Sequence, residues 1–426
     1  MSSLETRLLG VLALLVAAAL VAAMLVHGRS ASSGEAGEGP ERATKAVAGQ
    51  VDWPQFGRVP ERTHYLPAEA KLLDPPLRQL WTVNTHALIE FPPAVHAGVA
   101  YVINKYGNGK AVRLSNRKVL WELNIRPSDS GKPNFVTAPV YYEGKIYGAF
   151  LDGHLAAGVA KNGHKAWVKD LHAHLESSPL AVNGSLYLGT DTHEVVALRA
   201  SDGKRRWTFH SPAAIKASPS YHDGRIFVAD YESGMFALDP ASGKLDWRTN
   251  TSQVAPFGEG GFFSSPAVAY GRVYAARDDG VVYAFDEETG KVDWAFPTGG
   301  AVYGSPAIAA VPGTPPTVYI GSEDGRFYAL DAATGKPRWS HDVGGPIPGT
   351  ATVIDHTVYT SSFKTNETTG FDTVTHKPVF HIEQAGYTPM VSDGKRLYLV
   401  GYYVLVGLEP AHRQVDSNHP RHSQAE

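Results

Sequence analysis

Residues 264–294 read SSPAVAYGRVYAARDDGVVYAFDEETGKVDW, and the chain repeats this phrase from about residue 79 onward. The proline of the phrase returns in four clear copies and two weaker ones, at Pro139, Pro179, Pro219, Pro306, Pro93 and Pro389. Tryptophan recurs at intervals of 40 to 47 residues, and Phe380 follows in the same series: Trp81, Trp121, Trp167, Trp207, Trp247, Trp294 and Trp339. A period of about 42 residues with four short apolar stretches is typical of a β-propeller.

Each copy predicts one blade of four antiparallel strands. The Pro-Ala-Val stretch is innermost, two apolar stretches follow, and a Thr-Gly-Lys turn leads to a fourth strand that carries the tryptophan. Counting Thr350 as a degenerate copy of the proline position gives eight blades. The last copy lacks a tryptophan strand, while the first such strand, residues 79–83, has no strands before it. We therefore expect an all-β, eight-bladed propeller whose ring is closed by this N-terminal strand, with the tryptophans packed between blades.

The segments that flank the propeller differ from it in composition. Residues 8–26 are apolar or small and uncharged, and at about 1.5 Å per residue they are long enough to cross a bilayer. We interpret residues 1–27 as one N-terminal transmembrane helix, which places the propeller on the extracytoplasmic side of the cell membrane, in the periplasm or at the cell exterior. A cleaved signal, and hence a secreted protein, is the alternative. The remaining boundaries are a disordered stalk, a lead-in, the propeller and a disordered tail: residues 28–50, 51–78, 79–410 and 411–426.

Composition excludes several classes of function. The sequence has no cysteine, so it cannot form disulfides, thiolate zinc sites or iron–sulfur clusters. Its formal net charge is -3, with both signs interspersed. Because nucleic-acid binding usually needs a clustered basic surface, we expect no nucleic-acid partner.

The repeat, written Gly-x-Val-Tyr…Asp-Gly-x-x-Tyr-Ala-x-Asp-x-x-Thr-Gly-Lys-x-x-Trp, resembles that of the pyrroloquinoline-quinone (PQQ) propeller superfamily. The lead-in, DWPQFGR at residues 52–58 and RTHY at 62–65, is also similar to that of the superfamily. Members include quinoprotein alcohol dehydrogenases and the propeller lipoprotein of the outer-membrane barrel-assembly machinery. The resemblance implies a PQQ and calcium site on one face of dehydrogenases, covered by a ring of adjacent cysteines. This chain has no cysteine for that ring, so we expect no cofactor, with PQQ plus calcium as the alternative.

Four polar or aromatic residues are the candidate ligand site. In this strand order, the links from fourth to first strand and from second to third strand share one face, which we call the upper face. A position three residues before the repeat proline is directed at the channel mouth there, and it holds Glu90, Glu176, Lys216 and Tyr303. These residues either form an ion-pair network that plugs the channel or bind a small polar or anionic molecule. His172 and His174 could join Glu176 as metal ligands, but exposed loops often carry such residues, so we expect no metal.

Two long links on the upper face are candidates for partner contact. The first spans residues 126–136. The second spans residues 251–263 and contains Phe257, Phe262 and Phe263 among several glycines. Long loops on a rigid scaffold often carry binding, and exposed aromatic side chains act as anchors. The alternative is that these phenylalanines fold over the channel.

The function that these features favour is a non-catalytic, membrane-anchored propeller that serves as a protein-binding or assembly scaffold. The propeller is expected to be monomeric, and its protein partner cannot be identified from the sequence. The alternative is a propeller that binds or senses a small, quinone-like ligand at the upper face. A PQQ-dependent dehydrogenase is the third hypothesis, against which the missing cysteines argue.

Overall fold

Short strands make up almost all of the regular structure in the computed structural model, which describes residues 51–67, 73–125, 134–253, 260–388, 390–401 and 403–411. The one helical element in these residues is a 3-10 turn, Thr251–Gln253. The predicted anchor, stalk and most of the tail lie outside the described residues. Within the described ranges there is no helix with the length and apolarity needed to span a bilayer.

Two strands precede the first complete blade, and the first four blades then follow in chain order. The preceding strands are β1 (Tyr65–Leu66) and β2 (Leu77–Asn84). Blades one and two comprise β3 (Ala94–His96), β4 (Val99–Ile103), β5 (Asn108–Arg113), β6 (Val119–Asn124), β7 (Val140–Tyr142), β8 (Lys145–Ala149), β9 (His154–Val159) and β10 (Lys165–Asp170). Blades three and four comprise β11 (Leu180–Val182), β12 (Ser185–Gly189), β13 (Glu194–Arg199), β14 (Arg205–His210), β15 (Ser220–His222), β16 (Arg225–Ala229), β17 (Gly234–Leu238) and β18 (Leu245–Asn250).

The last four blades repeat the same order. Blades five and six comprise β19 (Ala267–Ala269), β20 (Arg272–Ala276), β21 (Val281–Asp286), β22 (Val292–Pro297), β23 (Ala307–Ala309), β24 (Thr317–Gly321), β25 (Arg326–Asp331) and β26 (Pro337–Asp342). Blade seven comprises β27 (Thr352–Ile354), β28 (Thr357–Ser362), β29 (Glu367–Asp372) and β30 (Pro378–Ile382). Blade eight comprises β31 (Met390–Ser392), β32 (Leu397–Gly401) and β33 (Val404–Pro410), and β2 is its outer strand.

Eight antiparallel four-stranded sheets result, as the repeat predicts. β2 pairs antiparallel with β33 from Leu77 opposite Pro410 to Asn84 opposite Val404. One addition was not predicted, because β1 extends the sheet of blade seven as a fifth, parallel strand. The first three strands of each blade are buried and the fourth is largely exposed, so the core lies between the faces of neighbouring blades.

The tryptophans join each blade to the next, as predicted. The indole Nε1 of Trp207 donates to the carbonyl of Pro240 at 2.9 Å, and Trp247 donates to Glu287 at 3.0 Å. The turn glycine of the next blade lies against the ring: Gly243 has φ +71, and a methyl group added there would come within 2.5 Å of Trp207. The Thr-Gly-Lys turn therefore needs glycine both for its left-handed backbone and for contact with the ring.

The serine before the repeat proline has a role that the sequence analysis did not assign. In blades three to seven a hydroxyl oxygen accepts a hydrogen bond from the backbone N–H at the same position in the preceding blade, at 2.9 to 3.1 Å: Ser178, Ser218, Ser265, Ser305 and Thr350. Thr350 thus occupies the serine position, and Ala351 occupies the proline position that we had given to Thr350. This one-residue shift corrects the alignment of blade seven.

The lead-in forms a plug in the channel, which we define as residues 51–66. It passes the innermost strands of all eight blades in order, starting with Val51 N–H to the Asp393 carbonyl of blade eight. Hydrogen bonds then join the plug to the middle residue of seven inner strands: Val95, Tyr141, Ala181, Tyr221, Val268, Ile308 and Val353. The plug uses the Gln55 side chain to bond Ala181 and backbone groups to bond the other six. Trp53, which lies outside the tryptophan series of the blades, is 1% exposed and pairs with Val95.

Candidate functional site

The plug closes the channel and leaves a blind cavity that opens on the upper face, which we call the cup. Its volume is about 570 Å³. The links from fourth to first strand supply most of its wall, and Phe56 of the plug contributes from the lead-in. Its lining includes six aromatic and three charged side chains: Phe56, Phe91, Phe135, Phe263, Tyr303, Tyr387, Glu90, Glu176 and Lys216.

Lys216 is held by one side of the cup. Its Nζ lies 3.3 Å from Oε1 of Glu176 and 4.8 Å from the ring centres of both Tyr231 and Phe263. The faces of aromatic rings attract cations, and such contacts are strongest where water is partly excluded. The Phe263 ring in turn meets Tyr303 edge-on at 5.5 Å between centres. Lys216 therefore has both its charge partner and its aromatic contacts within the chain.

Glu90 lies in the cup without such a partner. Among the described residues its carboxylate has no ion pair or hydrogen bond, and the side chain is partly buried. Burial raises the pKa of Glu90 to about 7, and the nearby Lys105 opposes this shift. The pKa rises because a carboxylate loses hydration when it is buried, which disfavours the charged form. Glu90 is therefore poised to change charge near neutral pH.

Beneath the cup, Arg62 of the plug is fully buried without a carboxylate partner. Its Nη1 donates to the Phe56 carbonyl at 2.7 Å, and Nε and Nη2 donate to carbonyls of Pro219 and Ser178 at 2.5 and 3.2 Å. Burial lowers the pKa of Arg62 to about 9. Five donors in a planar fork suit this use, because they can satisfy several carbonyls at once. Arg62 does not line the cup. Its guanidinium bonds backbone carbonyls beneath the cavity and does not face the space where a ligand would bind.

His64 adjoins the floor and is also fully buried. Its ring meets that of Phe56 edge-on at 4.6 Å between centres, and neither ring nitrogen has a hydrogen-bond partner among the described residues. Burial and the charge of Arg62 lower the pKa of His64 to about 3. His64 is therefore neutral at physiological pH.

The structure brings the four predicted ligand-site residues into one cavity. Glu90, Glu176, Lys216 and Tyr303 all line the cup. Lys216 pairs with Glu176 alone, so no network of ion pairs fills the channel within the described residues. Three aromatic residues of the cup were not predicted: Phe56 of the floor, and Phe135 and Tyr387 of the rim. No charge or repeat position distinguishes them in the sequence.

The three phenylalanines predicted for partner contact have different environments. Phe263 lines the cup. Phe262 is fully buried in the core of blades four and five, where its ring meets Tyr283 at 6.1 Å between centres, so it is not an exposed anchor. Phe257 lies outside the described residues. Phe262 and Phe263 are adjacent in a link without regular secondary structure, and only Phe263 faces the cavity.

The histidines considered as metal ligands do not converge. His172 pairs with Asp170 at 3.2 Å and His174 with Asp191 at 3.2 Å, while Glu176 pairs with Lys216. Within the described part of the chain, the group with ligand atoms close enough for a metal lies elsewhere: Asp74, Asp355 and His356. Its members already bond to one another and to backbone N–H groups, and they tie the lead-in to the turn between β27 and β28.

The cup does not fit PQQ held with calcium. Calcium takes six to eight oxygen ligands. The charged lining offers two carboxylates on different blades, one of them neutralised by Lys216. A polyanionic quinone would find Lys216 already paired and Arg62 outside the cavity. The donor set for quinone chemistry is therefore missing from the described wall of the cup.

Exposed aromatic side chains are concentrated on the upper face. Five aromatic side chains of the described residues are more than a third exposed, and all five lie in upper-face links: Tyr106, Phe135, Tyr303, Tyr387 and Tyr403. Phe135 is 60% exposed and Tyr403 is 55% exposed. The exposed apolar residues on the outer strands are aliphatic, as at Val119 and Val379. The upper face thus differs from the rest of the surface in the residue types that dominate protein interfaces.

Fold and site together define a PQQ-repeat propeller with a closed floor and an aromatic cup. Three overlapping stretches of the chain, residues 69–214, 151–259 and 210–406, match the model of one family, described as outer membrane protein assembly factor BamB. These stretches cover most of the sequence, and the chain belongs to this family. The resemblance seen in the repeat is confirmed.

One curated relative is a dehydrogenase subunit, and this chain matches only part of it. A quinone alcohol dehydrogenase subunit of Acetobacter aceti is 27% identical over 176 residues, which are 39% of this chain and 23% of that protein. The chain thus spans less than a quarter of the length of this curated relative. No catalytic activity follows from so partial a match.

The solved structures that are similar show the fold. BamB of Moraxella catarrhalis is 16% identical, with a TM-score of 0.64 over 79% of this chain and 99% of that chain. A europium-containing methanol dehydrogenase is 15% identical, with a TM-score of 0.70 over 84% of this chain and 90% of that one. A quinohemoprotein alcohol dehydrogenase of Comamonas testosteroni is 14% identical, with the same TM-score over 87% and 82%. The same propeller fold therefore occurs in an assembly factor and in dehydrogenases, so the function has to be inferred from the site.

Proposed function

We propose that this protein is a non-catalytic binding propeller that docks a protein partner on its upper face. The observation that carries the proposal is the restriction of all five exposed aromatic side chains of the described residues to that face. Aromatic side chains supply a large contact area at little entropic cost, and they dominate the binding energy of interfaces. A surface of this kind on a rigid propeller suits an assembly scaffold.

The location belongs to the same proposal. The apolar run at residues 8–26 would anchor the chain in the cell membrane, with the propeller on the extracytoplasmic side. The stalk at residues 28–50 would let the upper face turn toward a partner near the membrane. Membership of a family described as an outer membrane protein assembly factor supports a partner in such an assembly.

Site-specific photo-crosslinking tests the docking surface. A photoreactive phenylalanine analogue is placed at Phe135 and, separately, at Tyr303 in the full chain, in cells that express it. Val379 on the outer strand of blade seven is the control, because it is 41% exposed, as is Tyr303. We expect an adduct with the same partner from both upper-face positions and none from the control.

Two outcomes contradict the docking proposal. The first is an equal adduct from Val379, which would mean that crosslinking follows exposure alone. The second is the absence of any adduct from Phe135 and Tyr303 while the chain is folded and present at normal levels. Either result would favour a function that does not use the upper face.

A second candidate function is the binding of a small ligand, and the volume of the cup favours it. A cavity of about 570 Å³ falls within the range of ligand pockets, and its mainly apolar wall with a few polar groups is typical of them. The two functions are compatible, because a side chain of a protein partner can enter the cup as a ligand does.

A further inference from the structure

We propose that the cup binds an alkylammonium group, with Glu90 as its counter-ion. This proposal deepens the docking function above and rests on it for the source of the ligand, since the cup opens at the centre of the aromatic face.

The charges of the cup leave one carboxylate without a partner. Glu176 and Lys216 neutralise each other at 3.3 Å. Glu90 lines the same cavity, and within the described ranges its carboxylate has no ion pair or hydrogen bond. Lys105 is a nearby cation, but it lies beyond ion-pair distance and only partly opposes the effect of burial on the pKa of Glu90. A partly buried carboxylate is disfavoured until a cation compensates for its lost hydration. An incoming cation supplies that compensation.

The aromatic wall favours the same ligand class. Six aromatic rings line the cup together with Glu90: Phe56, Phe91, Phe135, Phe263, Tyr303 and Tyr387. Ring faces attract ammonium groups, and alkyl chains pack against the same surfaces. A ligand with a cationic end and an alkyl stem matches both properties.

Lys216 places an ammonium group against aromatic rings, and one of these rings, Phe263, lines the cup. Its Nζ is 4.8 Å from the centres of two rings, Tyr231 and Phe263, and is paired with a carboxylate. Glu90 and the six aromatic rings line the same cavity, so a ligand in the cup can reach a carboxylate and aromatic surfaces together. The chain thus contains an internal example of the interaction that we propose.

An anionic ligand finds no equivalent partner. Lys216 is committed to Glu176, and Arg62 does not reach the cavity. All three nitrogens of the Arg62 guanidinium already donate to backbone carbonyls. A carboxylate or phosphate ligand would have to displace an ion pair that the chain provides for itself.

Titration calorimetry with the full chain tests the proposal. The probes are butylammonium, a tripeptide Ala-Lys-Ala with blocked ends, and the same peptide with its lysine acetylated. Acetylation removes the charge and keeps the stem. We expect the charged peptide or butylammonium to bind and the acetylated peptide to bind at least about tenfold more weakly.

The pH dependence identifies Glu90 as the counter-ion. An alkylammonium stays charged between pH 6 and pH 8, whereas the ionised fraction of a carboxylate with a pKa of about 7 rises about tenfold over this range. Affinity should therefore rise by up to about tenfold from pH 6 to pH 8. Glu90→Gln should weaken binding and remove this dependence. Glu367→Gln, at the start of β29 in blade seven and outside the lining of the cup, is the matched control and should leave both unchanged.

The outcomes separate the source of the cation. Equal affinity for butylammonium and the lysine peptide indicates a small-molecule ligand, and much tighter binding of the peptide indicates a lysine side chain of a partner. Both support the proposed chemistry. It is overturned if neither cation binds at millimolar concentration, if the acetylated peptide binds as well as the charged one, or if Glu90→Gln has no effect. Should it be overturned while Phe135 and Tyr303 still crosslink, the docking function stands and only the ligand class fails.

Discussion

At the scale of single residues, the channel contains two basic side chains that a folded protein rarely buries. Arg62 and His64 are both 0% exposed, and neither has an acidic partner among the described residues. Arg62 is stabilised by carbonyl oxygens that point into the channel, whereas His64 avoids the cost by remaining neutral. The plug therefore stabilises the propeller through backbone carbonyls and carries a built-in sensitivity to acid.

The stability of the protein should fall with decreasing pH partly because of His64. Its pKa is about 3 in the folded state and about 6.5 when unfolded, so the unfolded state binds the additional proton between these values. Between pH 7.5 and pH 4.5 the wild type should lose roughly 2 to 3 kcal/mol more of its free energy of unfolding than His64→Asn does. Chemical denaturation at the two pH values measures the difference. Equal losses in both proteins would contradict the assignment.

His222 provides a control of opposite sign. Its hydrogen bond to Glu287 raises the pKa of His222 in the folded state. Its contribution to stability is therefore present below pH 6.5 and is lost as the pH rises through the raised value. His222→Gln should accordingly cost more stability at pH 5 than at pH 8.

At the scale of the element, the contact of blades two to six with the blade before each of them depends on the glycine of the turn before the fourth strand. Gly243 and Gly224 both have a left-handed backbone, with φ +71 and +78. Only Gly243 lies against a tryptophan ring, while a methyl group on Gly224 would meet nothing within 4 Å. The two glycines therefore separate backbone strain from packing between blades.

Gly243→Ala should destabilise the protein more than Gly224→Ala. Alanine at Gly224 introduces only the strain of a left-handed backbone, which should lower the free energy of unfolding by about 1 kcal/mol. Alanine at Gly243 introduces the same strain and also displaces the Trp207 ring, so the free energy of unfolding should fall by roughly 2 to 4 kcal/mol in total. Urea unfolding followed by tryptophan fluorescence measures both. Equal shifts of the midpoint would show that the ring contact contributes nothing.

At the scale of the whole molecule, the plug determines that the channel is a cup. One segment of 16 residues contacts the innermost strand of every blade, so it connects blades that otherwise touch only their neighbours. It also supplies the cavity floor through Phe56. A binding site with one entrance is the consequence.

Deleting residues 51–66 from the full chain should loosen the inner strands. The amides of Val268, Ile308 and Val353 donate to plug carbonyls, each bond contributing about 1 kcal/mol net. Hydrogen exchange should therefore quicken at these amides, while those in the β21–β22 pair of blade five retain their protection. Arg62→Met in the intact chain is the milder variant and should raise exchange at the same inner-strand amides. Unchanged exchange in both variants would contradict a structural role of the plug.

The number of blades, their strand order and the role of the tryptophans could all be predicted from the sequence. These features repeat with a fixed period, and a periodic contact such as that of Trp247 with the next blade leaves a periodic signal in the residue types. The sequence also predicted that Glu90, Glu176, Lys216 and Tyr303 lie near one another, because they occupy one position of the repeat.

The segment that closes the channel and the side chains that face the cup could be identified only in the folded structure. The plug binds the blades mainly through backbone groups, and backbone groups are the same for every residue type. Whether Phe262 or Phe263 faces the cavity depends on the exact path of an irregular link, which has no period to predict it. Contacts within the repeat are therefore legible in the sequence, whereas contacts between the repeat and the segment that crosses it appear only when the ring is assembled.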